Sequence, residues 1–274
     1  SGKLTVASKG FHADFSTISA DDFPELEISE EQTSSLIGAS VLKRILTKTS
    51  FSMASQDVRY YLNGLLLEFD NNEIKGVATD GHRLALAKSE FENKEGLQVK
   101  QILPRKAVLE LSKLLPQSEE AVELKVGASY FSVKSGNLQF STKLIDGKYP
   151  DYEKVFPSGD PSSLKIEKEK LQLALSRASV LSNEKYRGVR FALSEGGLKL
   201  TANNPEQESA EEVLEVDYKG APLEIGFNIG YLLDVLGSVE ISDVELVFYG
   251  EDSSCIIKEP SSDSEVYVIM PMRL

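Results

Sequence analysis

Asp80 and His82 flank Gly81, and a carboxylate and an imidazole at that spacing can serve as an acid/base pair or as two metal ligands. Either chemistry needs further groups. His12 is the only other histidine, Cys255 is the only cysteine, no glycine-rich loop with its lysine is present, and no serine or cysteine sits in a nucleophile-elbow context. The plainer reading is a capped turn, in which Asp80 accepts backbone N–H groups and Gly81 takes a positive φ. That reading leaves the exposed neighbours open to a binding role. Cys255, followed by Ile256 and Ile257, reads as a buried strand thiol.

The framework that must hold such residues is written twice. Gly64 to Asp80 aligns without gaps on Gly188 to Asn204, an offset of 188 − 64 = 124, and Val122, Glu123, Leu124 match Val244, Glu245, Leu246. Each unit is thus about 120 residues, enough to bury its own core. Phe15, Ser16, Thr17 with Phe23, Pro24 mirror Phe140, Ser141, Thr142 with Tyr149, Pro150. The chain is therefore expected to begin with the last piece of a third copy, as a fragment or a natural short form, and Ser1, Gly2 resemble a cloning scar. The expected domains are 1–29, 30–153 and 154–274, with 156–163 as the linker between the last two.

Short alternating runs bounded by turn residues predict strands, among them hairpins at 65–78 and 191–202, with further strands at 123–126, 130–133, 138–141, 213–216, 245–248, 255–258 and 266–269. Four helices interrupt them. The first carries Val41, Leu42, Ile45, Leu46 and Thr49 opposite Lys43, Arg44, Thr47 and Lys48; its counterpart carries Leu171, Ala174, Leu175 and Ala178 opposite Lys170 and Arg177. A second helix in each unit follows Pro104 and Asn228. The expected class is α+β, two helices per domain packed on antiparallel sheets.

The net charge is −13, an unusual balance for a nucleic-acid binder. The acidic residues fall in expected loops and strand ends, including 25–31 and 206–212, while several basic ones fall on helices. Such a surface attracts phosphates weakly and without sequence preference. With no apolar run near the length of a membrane span and no signal-peptide pattern, the expectation is a soluble, cytoplasmic protein.

Four segments carry a family resemblance: Thr79 to Ala85 (Thr-Asp-Gly-His-Arg-Leu-Ala), Tyr267 to Leu274 (Tyr-Val-Ile-Met-Pro-Met-Arg-Leu), Gln56 to Gly64 and Ser182 to Arg190. In these the chain resembles the bacterial beta sliding clamp, the processivity subunit of DNA polymerase III, over essentially its whole length. The family is longer at its N-terminus. The resemblance implies a non-enzymatic ring subunit, without cofactor or metal, that encircles double-stranded DNA. It also implies a docking groove for the polymerase III alpha subunit, the clamp loader, and other polymerases and repair proteins with clamp-binding motifs.

The implied groove comprises Leu62, Thr79, Gly81, His82, Arg83, Leu84, Pro150, Lys154, Val155, Asn228, Tyr231, Val268, Met270, Pro271, Met272, Arg273 and Leu274. Lys154 stands where the family more typically has arginine, so a bidentate contact there is in doubt. The implied DNA-facing residues are Lys43, Arg44, Lys48, Arg59, Tyr60, Tyr61, Arg105, Lys106, Arg177, Lys185, Arg187 and Arg190. Val180 and Leu181, rimmed by Glu208, Glu211 and Glu212, would form one side of a head-to-tail homodimeric ring interface, and the fragment alone is expected to be a monomer. Two other readings stay open: an interaction module without a DNA role, and a hydrolase using Asp80 and His82.

Overall fold

The computed structural model describes residues 2–23, 33–94 and 96–274; Pro24, the acidic stretch 25–31 and the expected boundary at 29/30 lie outside the described residues. A hairpin of β1 (Lys3–Ser8) and β2 (Phe11–Ser16) stands apart with its residues almost wholly exposed. The first repeat contains β3 (Thr33–Gly38), β4 (Gly64–Asp70), β5 (Glu73–Thr79), β6 (Arg83–Glu90), β7 (Val99–Pro104), β8 (Ala121–Val126), β9 (Tyr130–Ser135) and β10 (Leu138–Lys143), with helices α1 (Ala39–Thr49) and α2 (Arg105–Leu114). The second contains β11 (Ser162–Glu167), β12 (Gly188–Ser194), β13 (Gly197–Asn203), β14 (Ser209–Glu215), β15 (Leu223–Asn228), β16 (Asp243–Phe248), β17 (Cys255–Lys258) and β18 (Glu265–Ile269), with α3 (Lys168–Ser179) and α4 (Ile229–Ser238). The repeat read from the sequence is therefore a repeat of the whole element order.

Every pairing is antiparallel, and one sheet crosses the repeat boundary. Its order is β11-β16-β17-β18-β6-β5-β4-β7, so β18 of the second repeat pairs with β6 of the first, Leu84 opposite Val268 and Leu86 opposite Val266. The other sheets run β10-β9-β8-β3 and β14-β13-β12-β15. Strand β4 is buried along nearly its whole length because both of its faces are covered. Leu65, Leu67 and Phe69 pack on the side of α1 and α2, whereas Leu62, Leu66, Val77, Leu84, Val266 and Val268 form a separate apolar cluster on the opposite face, under Tyr149 and Tyr152. Helices α3 and α4 likewise cover the face bearing Ala85, Ile257, Tyr267 and Ile269. The central sheet thus has a helix side and an outer side.

Two expectations about segments need correction. The linker is shorter than expected, because Ser162 and Ser163 already pair with β16 in β11. The acidic run 206–212 is not all loop: from Ser209 it belongs to β14, where pairing with β13 overrides the poor strand propensity of its glutamates. Among the described residues, no helix is long and apolar enough to cross a membrane.

Candidate docking groove and basic surface

The Asp80 turn is built almost entirely from its own polar atoms. Asp80 Oδ1 accepts from the backbone N–H groups of His82 at 2.9 Å and Arg83 at 3.0 Å, and Asp80 Oδ2 accepts from Arg83 Nε at 3.1 Å. Thr79 Oγ1 accepts from Gly81 N and donates to the Arg83 carbonyl. Gly81 has φ +91°, and a Cβ there would come within 2.9 Å of the Arg59 guanidinium, so glycine is required twice over. The turn is confined to 80–82; Arg83 and Leu84 already belong to β6. With both carboxylate oxygens held by the turn and Arg83, Asp80 is committed to structure.

On the outer side of the sheet, Leu62, Leu84 and Val268 are buried in one apolar cluster with Val155 packed against it. The Met270 N–H donates to the His82 carbonyl, tying the tail to the turn, and Met270 is 37% exposed at the end of the strip. The Tyr149 hydroxyl accepts the Thr79 N–H at 3.1 Å, and burial pushes this phenol well above its usual range. His82, Pro150 and Lys154 are exposed at the rim. Lys154 is held by Asp151 at 3.0 Å, and that hydrogen bond draws the Asp151 carboxyl below the usual range.

The remaining groove candidates lie elsewhere. Arg83 points to the helix side, as the alternation with Leu84 requires. Its guanidinium donates to Asp234 on α4 and to the Phe51 carbonyl, and lies 4.4 Å from the centroid of the Tyr231 ring. Asn228 caps α4 by accepting from Gly230 N and Tyr231 N. Arg83 and Tyr231 are thus parts of the joint between the repeats, whereas Asn228 acts within the second repeat. The chain end turns away over β15, where Met272 N donates to the Gly226 carbonyl and Leu274 packs on Gly188 and Gly226. Pro271, Met272, Arg273 and Leu274 line a polar cleft of about 730 Å³ with Arg190, Glu224, Glu251 and Asp252, apart from the apolar strip.

The basic helix face is also redistributed. Lys48, expected to face solvent, is 4% exposed: its ammonium donates to the Ser238 carbonyl and to Glu240 at 2.9 Å, both in the second repeat. Arg44 pairs with Glu265 at 2.7 Å and donates to the Lys88 carbonyl, and Lys43 donates to the Leu115 carbonyl. Helix α1 therefore spends its cations on the protein itself: Lys48 and Arg44 on the second repeat, which covers part of the side an isolated amphipathic helix would show to water, and Lys43 on the end of α2 in its own repeat. Arg105 donates to the Met53 carbonyl, Arg190 pairs with Glu224, and Arg177 approaches Glu212 at 3.7 Å. Arg59 grips Asp57 and holds its carboxyl down at about 2. Tyr60 packs edge-on against Tyr61 with ring centroids 5.7 Å apart, and Lys106, Lys185 and Arg187 remain exposed.

At the far end of the second repeat, Val180 is 78% exposed and Leu181 is half-buried beside it. Glu211 pairs with Lys199, Glu212 with Arg177, and Glu208 accepts from the Asn204 side chain. Of the acidic rim, only Glu211 is closely paired with a cation; Glu212 has a distant one and Glu208 has a neutral partner. Among the described residues, strand β14 has an unpaired outer edge.

Residues 36–151 match the family model of the DNA polymerase III beta subunit, central domain, and residues 153–273 match that of its C-terminal domain. The beta sliding clamp of Pseudomonas putida is 46% identical over 99% of this chain and 74% of its own length, and that of Escherichia coli is 42% identical over the same shares. The chain belongs to the beta sliding clamp family. A crystal structure of the Pseudomonas aeruginosa DNA polymerase sliding clamp superposes with a TM-score of 0.94 at 44% identity, covering 99% of this chain and 74% of that one. Another structure of that clamp has griselimycin bound. The fold is the DNA clamp fold, and the function is that of a DNA sliding clamp in replication.

Several residues that organise this clamp's site carried no signal in the sequence. Tyr152 donates to the buried Glu68 at 2.9 Å, and Asp234, Glu240 and Glu265 receive the cations of the first repeat. Their partners lie far away along the chain, beyond the reach of local periodicity. Tyr149 was accessible only as the aromatic of the Tyr149, Pro150 pair that ends a repeat.

Proposed function

We propose that this clamp docks short peptide motifs on the outer strip of Leu62, Leu84, Val155 and Val268, with Met270 as an adaptable wall and His82, Pro150 and Lys154 at the rim. The observation that carries this reading is the hydrogen bond from Met270 N to the His82 carbonyl, which closes the turn and the tail into one edge beside an apolar floor. Thr79 and Gly81 act by shaping that edge. A motif burying about 250 Å² of apolar surface gains roughly 6 kcal/mol before ordering costs, consistent with micromolar affinity. The partners are the polymerase III alpha subunit, the clamp loader and other proteins bearing such motifs. Titration of a short glutamine- and leucine-containing peptide should saturate at micromolar concentration. Removing residues 270–274 should abolish binding with the fold intact; a peptide that binds the shortened chain equally well would sink the assignment.

The clamp is non-catalytic in this reading and holds duplex DNA by topology, which raises the local concentration of a tethered polymerase. Of the cations expected to face DNA, Lys106, Lys185 and Arg187 are exposed and make no ion pair among the described residues, while Arg59 is bound to Asp57. Direct DNA affinity is therefore expected to be weak, indifferent to sequence and steeply reduced by salt, measured by anisotropy at two ionic strengths. For ring closure, the β6–β18 ladder inside the chain supplies the template. The β14 edge, with Val180 and Leu181 next to it, would receive a strand of another subunit in a heterologous contact.

A further inference from the structure

The outer side of the central sheet carries a second cleft beside the proposed groove. Along β6 and β18 the pair Leu84–Val268 is followed by Leu86–Val266, roughly 7 Å further at about 3.4 Å per residue. Ile256 on β17 and Val247 on β16 extend this floor, and all of them belong to the same apolar cluster as Leu62 and Leu84. Phe156 and Tyr249, both half-buried, wall a cleft of about 540 Å³ above it. Val155, the residue before Phe156, belongs to the groove, so one crossing segment divides two depressions that share a floor.

The rim of the cleft carries Lys88, Lys258, Glu245 and Asp263. Two positive and two negative groups cancel, and Lys258 is already bonded to Asp263 at 2.7 Å. An ionic side chain therefore meets no net charge here, whereas an uncharged apolar one finds an apolar floor and two aromatic walls. We propose that the cleft is an extension subsite: it takes an aromatic or long aliphatic side chain from the residues flanking a docked peptide motif. The proposal rests on the groove reading given above and adds a specificity determinant to it. Segments that share the core motif are ranked by what flanks it.

Three peptides separate the possibilities: the short motif alone, and the same motif carrying Gly-Phe-Leu at its N-terminus or at its C-terminus. One of the two extended peptides should bind about fivefold tighter than the short one, near 1 kcal/mol. Ser163 is exposed, lies opposite Val247 and lines the cleft, so Ser163→Trp should fill it without removing a core side chain. The variant should erase the gain from the extension and leave the affinity of the short peptide unchanged. Methyl resonances of Leu86, Val266 and Ile256 should shift with the favoured extended peptide and not with the short one, which tests the site without any substitution. If the short peptide binds but neither extension improves on it, or the gain survives Ser163→Trp with the methyls unmoved, the subsite is wrong and the groove stands. If the short peptide itself does not bind, the groove reading fails and takes the subsite with it.

Discussion

Helices α1 and α3 hold the same place in the two repeats, yet their charges have opposite fates. At an offset of 177 − 48 = 129, Leu42, Ile45, Leu46 and Thr49 fall on Leu171, Ala174, Leu175 and Ala178, and all of them are buried. Lys48 falls on Arg177. Lys48 is enclosed by Ser238 and Glu240, while the Arg177 side chain is 62% exposed with only a distant contact to Glu212. The strands tell the same story, since β6 is paired by β18 and its counterpart β14 is an open edge. What a position does in this fold depends on whether another repeat lies beyond it.

The largest expected effect is at Arg83, whose guanidinium joins Asp80, Asp234, the Phe51 carbonyl and the Tyr231 ring. Arg83→Ala should cost about 2–4 kcal/mol in urea unfolding, because it strands the Phe51 carbonyl and loosens the turn as well as the joint. A loss below about 0.5 kcal/mol would mean that the ladder alone holds the repeats.

A smaller effect separates the equivalent helical cations. Lys48→Met should cost about 1–2 kcal/mol, limited because Glu240 regains water, while Arg177→Met should stay within about 0.5 kcal/mol. Equal losses would break the comparison. The Lys48 hydrogen bond, and less strongly its charge, depresses the Glu240 carboxyl. The stability it contributes is therefore complete above the ordinary carboxylate range and is lost as pH falls through the lowered pKa. Glu240→Gln should flatten the acid limb of the unfolding profile, and the Lys48→Met background should remove that difference.

The smallest effect is local. Arg59, by hydrogen bonds from its side chain and then its backbone, holds Asp57 at about 2. Arg59→Gln should raise the Asp57 carboxyl only part of the way to its ordinary range in an NMR titration, because the backbone N–H of residue 59 still bonds it, with the unfolding midpoint barely changed. An Asp57 that still titrated near its original value would assign the depression to something other than Arg59.

The hairpins β4–β5 and β12–β13 were legible because alternation, turn residues and partner all lie within one short stretch. Strand β6 was not, since its Arg-Leu-Ala-Leu-Ala-Lys-Ser-Glu sequence is rich in residues of low strand propensity and one of its partners, β18, lies at the other end of the chain. Strand β14 was read only at its end, as 213–216, because the glutamates before Val213 are poor strand formers. The apolar strip at Leu62, Leu84 and Val268 was visible only through family resemblance, because three separate segments supply it. Helical periodicity marked the buried stripe of α1 correctly and misread Lys48, whose burial is decided by Ser238 and Glu240.

The β6–β18 ladder also makes the joint between the repeats a mechanical element. Tension running from one repeat to the next crosses the strands at right angles and loads the ladder's hydrogen bonds together, so none can be peeled from a free end while the rest stay at ease. On the helix side, Arg44 on Glu265, Lys48 on Ser238 and Arg83 on Asp234 act as ties off the plane of the sheet and resist its folding open toward the outer side. The joint therefore resists both stretching and bending, and a load passed around the chain would be carried through it to the edge of β14, which among the described residues has no paired strand beyond it.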